Sequence, residues 1–157
     1  MRIFPCNHAP EPRMTAPAIK IAAILGGSPV LKRNVESESD LVEAVRLGLP
    51  TASVERMVRD DLLSKEEVYT LIAPKRTYQL RRQQRKPLSA IESERAARLA
   101  RIFALAIEAF QNPGKAATWL RRPSRVLGRV PIELLDSEAG ARLVEDELLR
   151  INWCFDA

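Results

Sequence analysis

The chain has 157 residues, 46% of them hydrophobic and 29% charged, which suits one ordinary globular domain or two very small ones and excludes collagen-like, mucin-like and wholly disordered chains. Aromatic residues reach only 5%, so a core has to be built from Leu, Ile, Val and Ala, and 25 bases against 20 acids leave a net charge of +5 that tilts the chain toward nucleic acid or another anionic partner. Cys6 and Cys154 stand near opposite ends, with no metal or redox spacing, and the longest apolar run, Ala18 to Gly27, holds Lys20 and is too short for a bilayer. Pro5, Pro10, Glu11 and Pro12 spoil any signal-peptide pattern before Leu31. The expectation is a cytoplasmic protein with no membrane partner and no cofactor.

Residues 1–36 carry five prolines and no sustained period outside the apolar stretch Ile19 to Leu25, so they are expected to form a partly disordered extension with room for one short docked segment. Ser37 to Asp40 offers N-cap residues, Leu41 and Val45 repeat at helical spacing, and Gly48-Leu49-Pro50 ends that helix. Thr51 or Ser53 starts the next helix, with Val54, Met57 and Val58 on one face. Ser64-Lys65-Glu66-Glu67 has the form of a capping box, followed by Val68, Leu71 and Ile72 at i, i+3, i+4. Ala73-Pro74 breaks this helix, and a short one follows from Lys75 to about Arg85, closed by Lys86-Pro87.

A second box, Ser89-Ala90-Ile91-Glu92, opens the longest helix, which runs to about Gln111 with a stripe of Leu99, Ile102, Phe103, Ala106, Ile107 and Phe110. Asn112-Pro113-Gly114 stops it. A helix around Trp119, an irregular stretch from Arg122 to Val130, and two closing helices over Pro131 to Leu135 and Ser137 to about Ile151 complete the chain. No segment alternates with period two for long enough to make a strand, so the fold class is all-α. Gly140 is expected to allow a close approach between helices, and Trp119 to belong to the core.

Charge is unevenly placed. Val68 to Ile91 holds six bases and no acid, whereas Pro131 to Ala157 holds two bases and seven acids, which suggests surfaces for two different partners. The segment Ser64 to Arg85 is helix, sharp turn, helix, with the second helix short and densely basic: the plan of a helix-turn-helix, whose second helix enters the major groove. Lys75, Arg76, Thr77 and Gln79 are expected nearest the base edges, and Arg81, Arg82, Arg85 and Lys86 at phosphates. Arg can bond the O6 and N7 of guanine together and Gln the N6 and N7 of adenine. The plainer alternative is an arginine-rich surface helix.

Catalytic patterns are missing. His8 is the single histidine and lies in the extension, which leaves no material for a histidine triad or zinc site. Gly26-Gly27-Ser28 and Gly114-Lys115 lack the spacing of a phosphate-binding loop. Glu145, Asp146 and Glu147 are adjacent on a helix and point around different faces, and Cys154 has no nearby base. The chain is not expected to be an enzyme.

Pro74-x-Arg76-Thr77, Arg81-Arg82, Leu88-Ser89-x-x-Glu92-Ser93-x-Arg95 and Arg98-Leu99-Ala100-Arg101 resemble the helix-turn-helix half of Xre/ParS-type antitoxins. Ala117-x-Trp119-Leu120-x-x-Pro123, Leu127-Gly128-Arg129-x-Pro131, Leu134-Leu135-Asp136 and Gly140-Ala141-x-x-Val144 resemble their toxin-binding half. The resemblance covers Leu47 to Ile151, in order. It implies an extension over 1–36, an Xre-like helix-turn-helix domain for DNA binding and dimerisation over 37–97, and a small helical toxin-binding domain over 98–157.

Functionally the resemblance implies a homodimeric antitoxin of a type II toxin–antitoxin system. Such a protein inhibits a cognate RES-domain toxin, an enzyme that degrades NAD or uses it to modify a target, and binds operator DNA to repress its own operon. The extreme C-terminus, here Arg150, Ile151, Asn152, Trp153, Cys154, Phe155, Asp156 and Ala157, is the part implied to enter the toxin's pocket. Cys154 stands where the family tail often carries glycine, and the extension before Ser37 has no counterpart. Independently of the family, Trp153 and Phe155 place two large apolar groups just past the expected helix end, suited either to anchor in a partner's cleft or to fold back on the chain's own core. A helix-turn-helix repressor whose C-terminal domain serves only dimerisation or ligand binding is the alternative function.

Overall fold

A computed structural model of the protein describes residues 16–156, with side chains for 16–154; Cys6 and His8 lie outside the described residues. These form nine α-helices and one 3₁₀ turn, and no strand occurs among them. In chain order the helices are α1 (Ala18–Ile24), α2 (Gly27–Leu31), α3 (Glu38–Leu47), α4 (Thr51–Arg59), α5 (Lys65–Leu71), α6 (Lys75–Gln83), α7 (Ala90–Phe110) and α8 (Pro113–Leu120). The 3₁₀ turn Pro131–Asp136 and α9 (Glu138–Asp156) follow.

Helix starts lie where side chains can satisfy the orphan backbone donors. Ser37 with Asp40, Ser64 with Glu67 and Ser89 with Glu92 each form a reciprocal capping box, in which the serine oxygen accepts from the third residue's N–H and that residue's carboxylate accepts from the serine N–H. Asn112 accepts from the N–H of Lys115 at the start of α8, with Pro113 in the first turn, where its missing N–H costs nothing. Helix α6 ends two residues earlier than the basic run implies, because Arg85 adopts a left-handed conformation (φ 53°) and Lys86 donates back to the Arg81 carbonyl.

Helix α7 is the axis of the molecule. Ala96, Ala100, Ile102, Phe103 and Ala106 are fully buried, and α1, α3, α8 and α9 all pack on it. The expected stripe lies on this core, with Ile107 and Phe110 at its partly buried edge. The expected division between residues 97 and 98 falls inside this continuous helix.

Residues 16–36 are more structured than a single docked segment. Ala18, Ile21, Ala22 and Leu25 repeat at i, i+3, i+4, i+7 and put one apolar face of α1 into the core, with Leu25 fully buried. Lys20 fastens this helix to α7 through an ion pair with Glu108 at 2.9 Å. Leu31 from α2 and Val35 beyond it are buried as well.

The expected end of α9 near Ile151 is also corrected: the helix continues through Asp156. Asn152 to Asp156 contain neither glycine nor proline, so nothing interrupts the hydrogen-bond ladder. Gly140 does mediate a close approach, of α9 to the 3₁₀ turn. A Cβ there would collide with the Leu134 carbonyl oxygen. Gly48 works similarly in the left-handed region (φ 95°), where a side chain would lie 2.5 Å from the Leu88 carbonyl oxygen.

Candidate functional site

Helices α5 and α6 are joined by a three-residue turn, Ile72-Ala73-Pro74, in which Ile72 and Ala73 are buried. Val68 accepts from the N–H groups of both Ile72 and Ala73, and Pro74 starts α6 with its fixed φ. From α7, Arg95 donates to the Ile72 carbonyl at 3.1 Å and braces the turn. On the inner side, Tyr78 of α6 is buried and meets Tyr69 of α5 edge-on, ring centroids 6.2 Å apart. Burial, reinforced by the negative charge of Glu55, pushes the Tyr78 hydroxyl up to about 12. It is a neutral packing group.

The bases of α6 divide by face. Arg81 is half-buried and its Nε lies 2.7 Å from Glu92, the same carboxylate that caps α7. Arg82 pairs with Glu55 at 2.6 Å while staying largely exposed. Lys75 is exposed with its ammonium 5.9 Å from the Tyr69 ring centroid, and Thr77 is half-buried. Arg76, Gln79 and Arg85 are exposed.

Arg76, Gln79, Leu80 and Gln83 share the outward face at i, i+3, i+4, i+7, opposite buried Tyr78. Leu80 and Gln83 therefore join the candidate surface, and Arg81 turns away from it. Reading the basic run by charge alone overlooks Leu80 and Gln83; the helical period through Arg76 contains the signal that finds them. This face combines a guanidinium, two carboxamides and one apolar side chain, the donor, acceptor and methyl-contacting groups that read base edges.

The second candidate surface is the end of α9. Ala141, Val144 and Leu148 anchor the helix in the core, and Ile151 packs at its edge. Arg150 is exposed beside Glu147 at 3.6 Å, and half-buried Asn152 shares a small cleft with Pro17, Lys20, Leu105 and Glu108. Trp153 is 63% exposed, so it does not fold back on the core, and Cys154 is exposed and free. The side chains of Phe155 and Asp156, and all of Ala157, lie outside the described residues. Trp119, in contrast, is half-buried against Phe110, ring centroids 5.7 Å apart.

Two salt-bridge groups tie the halves together. Arg121, directly after α8, grips Glu67 with two hydrogen bonds of 2.8 and 2.7 Å and donates to the carbonyls of Leu62 at 2.8 Å and Ala117 at 3.1 Å. Arg98 and Arg101 of α7 both donate to Glu138 at the start of α9, at 3.1 and 2.8 Å. Burial alone would raise the Glu138 carboxyl, but the hydrogen bonds and charges of Arg101 and Arg98 outweigh it and hold the group below its ordinary value. Among the described residues no cluster of His, Cys, Asp and Glu could hold a metal, and no helix is long and apolar enough to cross a membrane.

Comparison with known proteins divides the chain in the same order. Residues 40–101 match the model of the antitoxin Xre-like helix-turn-helix domain, and residues 105–153 match that of the antitoxin Xre/MbcA/ParS C-terminal toxin-binding domain. The chain is 34% identical over 108 residues to an Antitoxin Xre of Photorhabdus laumondii, covering 67% of this chain and 73% of that protein. It is 32% identical over 115 residues to an Antitoxin Xre of Yersinia enterocolitica, covering 71% and 78%. An Antitoxin Xre of Pseudomonas putida is 40% identical over 81 residues, a match that spans 51% of each protein and thus only about half the length of that relative.

Proposed function

From a chain that belongs to the Xre antitoxin family, with a helix-turn-helix domain followed by a toxin-binding domain, we propose a homodimeric cytoplasmic antitoxin, without catalysis of its own, that inhibits a cognate RES-domain, NAD-consuming toxin and represses their shared operon. Residues 37–97 serve DNA binding and dimerisation, and 98–157 serve toxin binding. The observation that carries the inhibitory reading is Trp153, 63% exposed on a helix otherwise anchored in the core. A large aromatic left in water at a helix end is an anchor suited to a partner's pocket. Arg150 to Ala157 act as one unit: the helix carries the aromatic group into the toxin's NAD pocket and excludes the substrate.

Operator binding uses the outward face of α6. Arg76 and Gln79 contact bases, with Lys75 and Thr77 beside them, and Arg82 and Arg85 contact phosphates; Arg81 acts mainly by holding α6 to α7 through Glu92. The test is co-expression with the product of the neighbouring gene, followed by an NAD-consumption assay of the purified complex. Inhibition by the full chain and its loss on deleting residues 152–157, with helicity and operator binding retained, is the expected result. Full inhibition by the shortened chain overturns the pocket-blocking mechanism. Absence of any complex, with sequence-specific DNA binding intact, leaves a repressor.

A further inference from the structure

The turn between α8 and the 3₁₀ segment, residues 121–130, carries four arginines and no acid. Arg121 is committed to Glu67 and Leu62. Arg122, Arg125 and Arg129 are exposed, and no side-chain hydrogen bond or ion pair to another described residue engages them. The turn is nevertheless closed and well held. Ser124 donates its N–H to the Arg129 carbonyl at 3.0 Å and accepts from the N–H of Gly128 at 2.9 Å, its hydroxyl oxygen accepts from Leu127, and Leu127 and Val130 pack on the core. Three exposed guanidinium groups carried on one short, well-held turn make a positive patch that attracts a polyanion.

The position of the turn says which polyanion. Arg121 pins its start to Glu67 in the first turn of α5 and to Leu62 just before it. In a helix-turn-helix the first helix of the pair crosses the DNA backbone while the second enters the groove. A turn fastened to α5 is therefore carried beside the phosphate ribbon. The end of α9 is engaged elsewhere: Asn152 shares a cleft with Pro17, Lys20, Leu105 and Glu108, and no residue of the turn lines it.

We propose that Arg122, Arg125 and Arg129 form a second phosphate-contacting surface, contributed by the toxin-binding half of the chain and flanking the α5–α6 pair on duplex DNA. It rests on reading α5–α6 as the DNA-binding pair. The contacts are to backbone phosphates, so they add affinity and salt dependence without sequence preference.

The test compares full-length wild type, R122A/R125A/R129A, R122K/R125K/R129K and R76A. Fluorescence anisotropy follows binding to two duplexes of equal length, the promoter region directly upstream of this chain's gene and a scrambled control. With the three contacts engaged, the slope of log affinity against log salt falls in magnitude by about 2 to 3 for the alanine triple variant on both duplexes, since each phosphate contact contributes about 0.9. The lysine triple variant keeps the wild-type slope, and the preference for the promoter duplex persists in both. An unchanged slope in the alanine variant, with wild type binding normally and R76A weakened, overturns the proposal alone. Loss of neutralisation with the slope intact assigns the turn to the toxin instead. If wild type binds neither duplex, the DNA-binding reading itself fails, and this proposal with it.

Discussion

Arg121 shows how much one side chain can hold. Its planar guanidinium bonds two oxygens of Glu67 and the carbonyls of Leu62 and Ala117 at once, and it is only partly exposed. Replacing it by alanine leaves the Glu67 carboxylate and a carbonyl short of partners, so Arg121→Ala is expected to cost about 2 kcal/mol in urea unfolding. Arg121→Lys recovers less than half of that, because an ammonium cannot reproduce the two-pronged grip. The capping role of Glu67 is legible from Ser64 three residues earlier, but its second partner lies 54 residues away and no local pattern announces it. Tyr78 offers a pH test. Its folded value is about 12 against 10.0 for a free tyrosine, so the phenol stabilises the fold fully below pH 10 and loses that contribution as pH rises through 12. Tyr78→Phe is expected to remove this part of the alkaline loss of stability, as read by urea unfolding against pH.

Elements are decided by caps and breakers, and these are the features local sequence carries best. The serine boxes at Ser64 and Ser89, the stop of α7 before Asn112-Pro113-Gly114 and the Pro74 break all lie where the chain announces them. Helix ends are harder. The end of α9 is misjudged when the last strong apolar position, Ile151, is taken for the last helical one; a ladder without a breaker simply continues. Gly140 belongs to this scale, since the fit of α9 against the 3₁₀ turn requires a missing side chain. Gly140→Ala forces a Cβ against the Leu134 carbonyl, a backbone atom that cannot rotate away, and is expected to destabilise by about 2 to 3 kcal/mol in thermal or urea unfolding. Trp153→Ala is the opposite case. The side chain is exposed, so stability is expected to change by less than about 0.5 kcal/mol, while toxin inhibition weakens at least tenfold, as read by an inhibition titration.

For the molecule as a whole, α7 unites what the sequence divides into two domains. Its arginines Arg98 and Arg101 reach Glu138 at the head of α9, so that helix is clamped to the one that also buttresses the helix-turn-helix pair α5–α6. The Glu138 carboxyl is held below its ordinary 4.5, so it favours the fold at neutral pH. That contribution begins to fade below about pH 4.5 and is gone once the pH passes the lower folded value. Acid unfolding of Glu138→Gln, which cannot ionise, is expected to be shallower over this window than that of the wild type, as read by circular dichroism against pH.

What the sequence determined by itself is local and periodic: an all-helical chain, its caps, the core stripe of α7, the basic second helix after a sharp turn, and the order of two family-like halves. These depend on contacts within a turn or two of helix, which residue spacing encodes directly. The tertiary structure decided which charges are spoken for. It turned Arg81 toward Glu92 and Arg121 toward Glu67, left Arg76, Gln79, Leu80 and Gln83 facing outward, drew α1 onto α7, and kept Trp153 in solvent. Ion pairs and docking between residues far apart in the chain depend on where the core places each helix face, and that information exists only once the helices are packed.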